Sequence, residues 1–507
     1  MSRRVPLKRA SAALLILASV LAGCEVGPNY HRPTAPISTT FKEAAGWVPS
    51  RPVDALDKGA WWSMFNDPVL DGLERRVAIS NQTVKEYEAA YREAHQIVAE
   101  ARASFFPTLS AVADATRSRG ATALSTTGST LSTTGTTNGA TTGMTTTGAT
   151  GAVANGGGIT SNSFTAALEA TWAPDLWGKI RRTIESDKAL AQASAADIAN
   201  AKLSAQAALA EDYLDLRVID DETRLYNGII DSYKRFLTLT QDQVREGTQP
   251  QSAVLSAQTQ LYGAQSSLIA LGVSRAEMEH AIAILVGVAP ADLTIAPTTT
   301  ALGRDVPSPP LAVPSTLLQR RPDIAGAERR MASGNALIGV AVSAYFPDLT
   351  LSGDYGGAGS SLSHLFSASN TLWSLGADAS ETLLDFGLRR AQVKAAKAVY
   401  DEDVATYRET VLTALQGVED ELASLRIYQQ QQEVASETEQ AAQKALKLDL
   451  DEYREGVIDY TTVMTAQATA LNASLSVLSV LENRLQASVL LVENLGGGWS
   501  TLDLPKS

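Results

Sequence analysis

The chain is poor in the residues that usually carry chemistry: 507 residues contain one cysteine and four histidines. A single thiol excludes an intrachain disulfide. The histidines, His31, His95, His280 and His364, are scattered, and no glycine-rich phosphate loop precedes a helical stretch. The expectation is a protein that is not an enzyme and that holds no metal and no diffusible cofactor. Basic charge is also scarce, with 42 Lys and Arg against 55 Asp and Glu, which argues against nucleic acid as a partner. Proline is missing from two long stretches, 178–245 and 387–454. Each is about 67 residues of uninterrupted helix-compatible sequence, roughly 100 Å at about 1.5 Å per residue.

What is present begins with a targeting segment. Arg3, Arg4, Lys8 and Arg9 form a basic region, and Ala10 to Leu21 a short apolar one, too short to span a bilayer. Leu21-Ala22-Gly23-Cys24 follows, and the lone cysteine stands where a signal peptidase would cut. The pattern resembles the bacterial lipoprotein box. It implies cleavage before Cys24 and a covalent lipid on that residue, which anchors the chain by inserted acyl chains. An ordinary secretory peptide with a chance cysteine is the other reading. Removing residues 1–23 takes four of the 42 basic side chains and no acidic one, so the mature charge falls from −13 to −17.

The chain is duplicated. Asp175-Leu176-Trp177-Gly178 answers Asp385-Phe386-Gly387 with its glycine 209 positions on, and Arg245-Glu246-Gly247 answers Arg454-Glu455-Gly456 at the same offset, as Gly287 answers Gly496. Upstream, Phe106-Pro107 pairs with Phe346-Pro347 at an offset of 240, so the first half carries 31 extra residues. These lie in a Thr/Gly/Ser/Ala run without a charge between Gly120 and Leu168, which reads as a flexible polar loop. The plan is a signal segment over 1–23, an extended segment over 24–66, a first repeat over 67–287, a Pro-rich linker over 288–312, a second repeat over 313–498 and a tail over 499–507.

Four segments alternate apolar and polar with period two, as strands with one greasy face do. They are expected near 105–116, 163–174, 346–356 and 371–384. Trp172, Trp177 and Trp373 lie near strand ends, where an aromatic girdle would sit. Four strands are too few for a spanning barrel, which needs about eight, and lipid does not tolerate open edges. Spanning strands therefore require oligomerisation. In the proline-free stretch after Gly387 and its return, Val404, Tyr407, Val411, Leu415, Val418, Leu422 and Leu425, then Leu471, Leu475, Leu478, Leu481, Leu485, Val489 and Val492, step by three or four. Such stepping indicates coiled-coil packing with a wet outer face, not transmembrane helices.

The lipoprotein box, Gly27-Pro28-Asn29-Tyr30, Trp61-Trp62, Arg320-Arg321-Pro322-Asp323-Ile324, Tyr345-Phe346-Pro347 and Asn494-Leu495-Gly496-Gly497-Gly498-Trp499 together resemble the outer-membrane efflux proteins, the TolC-like family, in its NodT-type lipoprotein form. The resemblance covers essentially the whole mature chain. It implies an α+β membrane protein: a trimer whose 12-stranded outer-membrane β-barrel, four strands per protomer, continues into a long α-helical coiled-coil barrel in the periplasm. It implies an outer-membrane duct of a tripartite RND-type efflux system that passively conducts drugs or other small molecules. The implied partners are two further copies, a periplasmic adaptor (membrane fusion) protein, an inner-membrane RND pump and outer-membrane lipid. Two alternatives stay open: a duct for another substrate class such as polysaccharide, and a poreless periplasmic coiled-coil scaffold lipoprotein.

By the same resemblance, Arg245, Glu246 and Gly247 with Arg454, Glu455 and Gly456 are the periplasmic tips where the adaptor docks. Relatives close the tunnel just after the second tip with an aspartate and an arginine. Here Thr465 stands at the aspartate position, Ala468 at the arginine position and Thr461 at that of a constricting leucine. Asp459 is the nearest carboxylate. It is either a ring that favours cations or an N-cap. The candidate gate is Asp459, Thr461 and Thr465, held by packing rather than by an ion pair.

Overall fold

The computed structural model describes residues 25–44, 60–120, 159–307 and 314–505. Cys24, the signal segment and the core of the polar loop, 121–158, lie outside them. The fold is α+β and divides into two compact units: a helical one, and a sheet unit made of Arg102–Leu176 and Tyr345–Asp385.

In the helical unit, α1 (Pro68–Ser80) starts at an Asp67 cap that accepts from the Val69 and Leu70 amides, with proline at its first position. It is followed by α2 (Gln82–Ala103), α3 (Lys179–Arg245) and α4 (Gln251–Leu285), then by α5 (Pro314–Arg320), α6 (Pro322–Ser343), α7 (Leu388–Arg454) and α8 (Tyr460–Asn494). The two long helices are 67 residues each and the two returning helices 35 each. The duplication extends to single atoms. Gly287 and Gly496 both have positive φ, and a Cβ on either would lie 2.1 Å from the Ser80 carbonyl oxygen or 2.2 Å from that of Arg320. Only glycine allows the returning helix to end so close to the break between two short helices. At that break Asn81 donates to the Leu285 carbonyl and Arg321 to that of Asn494, both at 2.8 Å. These partners are separated by the offsets read in the sequence, 240 and 209.

The α7–α8 seam buries Tyr407, Val411, Val418, Leu422 and Leu425 in one core with Ala487 and Leu491, whereas Leu481, Leu485, Val489 and Val492 of α8 turn into a second core with Ala207, Tyr213 and Leu214 of α3. Towards the tip the expected stripe drifts: Leu471, Leu475 and Leu478 are only partly buried, and Ala442, Ala470 and Ala473 fill the seam instead. A straight helix rotates by about 20° per heptad against a 3.5-residue repeat, so over 35 residues the leucines leave the contact line. By length and composition α8 could cross a membrane, but 50% of its apolar window is buried in this core.

Two extended segments tie the helices together. Residues 25–44 form a strap in which the Gly27-Pro28-Asn29-Tyr30 motif is the anchor. Gly27, at φ 101°, approaches Gly339 so closely that a Cβ would lie 2.4 Å from its Cα. Asn335 donates to the Pro28 carbonyl, Arg182 to Asn29 and Tyr30 to Glu328. Further on, the Lys42 and Glu43 amides donate to the two Glu419 oxygens. The Pro-rich linker is largely exposed and is fastened across the helices. Asp220 and Asp221 on α3 accept from the Thr298 and Leu302 amides, Arg217 and Arg275 donate to the Ala296 and Ile295 carbonyls, and Ser488 on α8 to that of Pro307. Backbone that cannot pair with itself needs side-chain partners when it packs on a core, and Ile295 is buried there.

The sheet unit holds β1 (Thr108–Gly120), β2 (Ile159–Trp172), β3 (Asp348–Gly359) and β4 (Thr371–Ser380), antiparallel in that order. Pairing of β1 with β2 runs to Gly120 and Ile159, so both ends of the uncharged run are strand rather than loop. Here backbone pairing, not side-chain alternation, sets strand length. β4 stops at Ser380, short of the expected end near 384. Trp172 lies at a strand end and donates from Nε1 to the Phe105 carbonyl at 2.9 Å. Trp373, third in β4, also lies near a strand end, opposite Tyr355, whereas Trp177 lies in the helical unit.

Candidate functional site

Both tips are built alike. After α3, Gly247 takes φ 73°, its amide donates to Val244 and that of Thr248 to Gln243 at 2.9 Å. After α7, Gly456 takes φ 74°, its amide donates to Tyr453 and that of Val457 to Glu452 at 2.9 Å. This is the glycine-terminated helix end in which the chain reverses while the last carbonyls stay satisfied. Arg245 pairs with Asp242 at 3.1 Å and Arg454 with Asp451 at 2.8 Å. Both pairs are exposed and contribute little stability. All six tip residues predicted from the sequence, Arg245, Glu246, Gly247, Arg454, Glu455 and Gly456, face solvent.

Asp459 caps α8. It accepts from the Thr462 amide at 3.0 Å, from the Thr461 hydroxyl at 2.7 Å and from the Thr462 hydroxyl at 2.9 Å. These bonds, that from Thr461 foremost, hold its carboxyl below the usual carboxylate range. The Thr465 hydroxyl donates to the Thr461 carbonyl one turn back at 2.9 Å. Asp459, Thr461 and Thr465 thus form one exposed line at the start of α8, with the aspartate acting as the cap.

Sequence reasoning missed what lies beneath. Phe236 of α3 stacks on Tyr460 of α8, centroids 4.6 Å apart and planes 12° from parallel, and Tyr453 of α7 closes the cluster at 5.4 Å from Phe236. The Tyr453 hydroxyl donates to Gln243 Oε1 at 2.6 Å. Burial raises both tyrosine phenols above their ordinary range, so they remain neutral donors. This clasp joins the first helical hairpin to the second just above the tips. The available signal was two tyrosines seven residues apart around the second turn, with no counterpart 209 positions earlier.

In the sheet unit, register assigns the faces. Leu109, Ala111, Ala113 and Ala115 of β1 share a face with Trp172, Ala170, Leu168, Ala166 and Phe164 of β2. Leu349, Leu351 and Tyr355 of β3 and Ala379, Ala377, Leu375 and Trp373 of β4 continue it. The opposite face carries Thr, Ser and carboxylates. Leu109, Trp373 and Leu375 are 70%, 70% and 82% exposed, which water does not favour for an apolar face but lipid does.

The family model for outer membrane efflux proteins matches residues 74–288 and 313–497. The chain belongs to the outer membrane efflux protein family. It is 26% identical over 493 residues to the probable efflux pump outer membrane protein TtgC of Pseudomonas putida, covering 96% of this chain and 95% of the relative. It is 29% identical over 464 residues to the pyoverdine export outer membrane protein OpmQ of Pseudomonas aeruginosa, covering 88% and 89%. The solved outer-membrane channel OprN superposes with a TM-score of 0.81 at 27% identity, over 94% of this chain and 100% of that one. The open state of the Neisseria gonorrhoeae MtrE channel superposes with a TM-score of 0.76 over 94% and 99%, and at 22% identity it speaks for the fold alone. As an outer membrane efflux protein, the chain is an outer-membrane channel component of an efflux system and not an enzyme.

Proposed function

We propose that three copies of this chain close one 12-stranded barrel in the outer membrane and one helical tunnel below it, forming the exit duct of a tripartite RND-type pump. The observation that carries this is a face mismatch between the repeats. In the second repeat α6 is buried over most of its surface, packed on α3 and α7, whereas its counterpart α2 buries only Val84 and Val98. Likewise α3 packs on α8 within the chain. One repeat apart, Ile427 of α7, the counterpart of buried Val218, and Ile269 of α4, the counterpart of Leu478 in the same core, are exposed. The duplication supplies a matching partner for each: the same surface on a second copy. Four strands with two free edges need the same solution.

Cys24 carries the lipid in this reading. Its neighbours support that: the Val26 amide donates to the Trp177 carbonyl at 3.2 Å, and Glu25 pairs with Arg182 at 3.4 Å. The first residues of the strap are therefore held at Trp177, a residue five positions along the chain from the end of β2. The six exposed tip residues take the adaptor's helical hairpins. Among the described residues the gate at Asp459, Thr461 and Thr465 pairs with no arginine, and packing of the aromatic clasp holds it. Relatives named for an efflux pump and for pyoverdine export support small molecules as cargo.

Detergent extraction followed by gel electrophoresis and planar-bilayer recording tests the proposal. The expected result is a heat-labile species of three times the chain mass that conducts ions. A monomer that leaves bilayers non-conducting supports the poreless scaffold instead.

A further inference from the structure

Charge in the sheet is segregated by face. The strands contain five carboxylates, Asp114, Glu169, Asp348, Asp354 and Asp378, and all five sit on the polar face. They contain two basic side chains, Arg117 and Arg119, and both sit on the other, apolar face, in line with Leu109, Ala111, Ala113 and Ala115. Chance placement of two guanidinium groups beyond an apolar row, in a chain of net charge −13, is not an economical explanation. Neither makes an ion pair among the described residues, and both are exposed.

Their level is set by the register. On β2 the apolar row runs from Trp172 to Phe164, about 26 Å along the strand at about 3.3 Å per residue. At the usual tilt of a spanning strand that is about 20 Å in height, against an apolar band of about 25 Å in such barrels. Phe164 pairs with Ala115, Asn162 with Arg117 and Thr160 with Arg119. The apolar band therefore ends on both strands at one level, and the two guanidinium groups occupy the next two outward positions, at the end of β1 away from its connection to α2. A guanidinium at the rim of a hydrocarbon slab, with its donors in a planar fork, is suited to phosphate oxygens.

We propose that Arg117 and Arg119 form a phosphate-binding edge on the lipid-facing side of the barrel, which takes the phosphate groups of an anionic glycolipid in the outer leaflet. This rests on the outer-membrane barrel proposed above. Three copies place six guanidinium groups around the rim, and no strand carboxylate shares their face to pair with them. The edge orients the barrel in depth: the apolar band below and the phosphate plane above fix where β1 crosses the surface.

The test uses the full-length protein, reconstituted with diphosphorylated lipid A or with its dephosphorylated form, and counts co-purifying lipid by native mass spectrometry. The expected result is retention of the diphosphorylated form roughly tenfold above the dephosphorylated one, lost in an Arg117→Gln, Arg119→Gln double variant and kept within about threefold in the Lys,Lys variant Arg117→Lys, Arg119→Lys. Equal retention of the two lipid forms, or retention unchanged in the Gln variant, overturns the inference. Displacement by millimolar inorganic phosphate also overturns it, because it marks a free-anion site. Planar-bilayer conductance of the same samples separates the two failures. A conducting trimer indifferent to lipid phosphate sinks this inference alone, whereas a chain that forms no pore sinks the barrel itself.

Discussion

Glu74 offers the sharpest quantitative prediction. It is fully buried on α1, and both of its carboxylate oxygens are without a partner among the described residues. Burial, and then the charge of Asp71, push its carboxyl from 4.5 up to about 9. The folded chain therefore keeps the proton where the unfolded chain has lost it. The sign follows: this stability is fully present below the unfolded pKa and is lost as pH rises towards the folded one. Each pH unit in that window costs about 1.4 kcal/mol, so Glu74 removes about 3 kcal/mol between its unfolded pKa and neutrality. Other carboxylates of the helical unit add the same sign, since burial first of all raises Glu211, Glu421 and Glu482 to about 7 and Asp212 to about 6. Comparison with Glu74→Gln isolates the one residue, because the amide keeps the shape and carries no titrating proton. Urea unfolding followed by helical circular dichroism, at steps from about pH 5 to about pH 8, reads the difference. The variant gains on the wild type as pH rises, by about 3 kcal/mol at neutrality relative to the acid end. Parallel pH profiles for the two proteins refute the assignment of a buried, neutral Glu74.

Four further outcomes follow from the same geometry. Gly456→Ala meets open space and bears only the left-handed backbone cost of about 1 kcal/mol. Gly496→Ala, with its Cβ 2.2 Å from the Arg320 carbonyl oxygen, loses several times more in a thermal melt. Asp459→Ala removes the cap and lowers the melting temperature more than Asp459→Asn, whose side-chain oxygen still caps. If Asp459→Asn instead changes cation preference in bilayer recordings, the carboxylate acts on the pore as well. Tyr453→Phe deletes the bond to Gln243 and costs about 1 kcal/mol. Phe236→Ala in the clasp raises resting conductance more than Tyr453→Phe does, if packing holds the gate. Combined Thr461→Ala and Thr465→Ala changes single-channel conductance; unchanged conductance removes these two from the gate.

Much of the fold was legible because it repeats. Gly287 and Gly496 announced themselves by their offset, and the structure explains the constraint: each ends a returning helix against a carbonyl that no side chain could approach. The alternating strands were legible because one face must suit lipid. The tips could be read from Arg-Glu-Gly twice, since positive φ at the reversal selects glycine. The clasp could not, because Phe236 of the first hairpin meets Tyr453 and Tyr460 of the second and no repeat points to the meeting. The linker's fastening to Asp220 and Asp221 was hidden for a similar reason: proline content predicts an irregular backbone, not the side chains that satisfy it. Strand ends were missed where backbone pairing continues into residues with no alternation, as at Gly120 and Ile159.

The central claim is that each exposed seam is covered by another copy in the register the internal duplication dictates. Within the chain, Asp215 of α3 accepts from Gln486 of α8 at 3.0 Å and Ser204 donates to Glu493 at 2.7 Å. Transposed by 209 positions, these pairs become Ser424 with Glu277 and Thr413 with Ile284, each across two copies. Cysteines at Ser424 and Glu277, introduced beside the single native Cys24, are the direct test, with the singly substituted chains controlling for that thiol. The account predicts that mild oxidation in intact outer membranes yields a covalent trimer, with no such product from either single cysteine or from Ser424 combined with Glu246. A covalent bond confined to one chain, or none at all in membranes where the protein conducts, contradicts it.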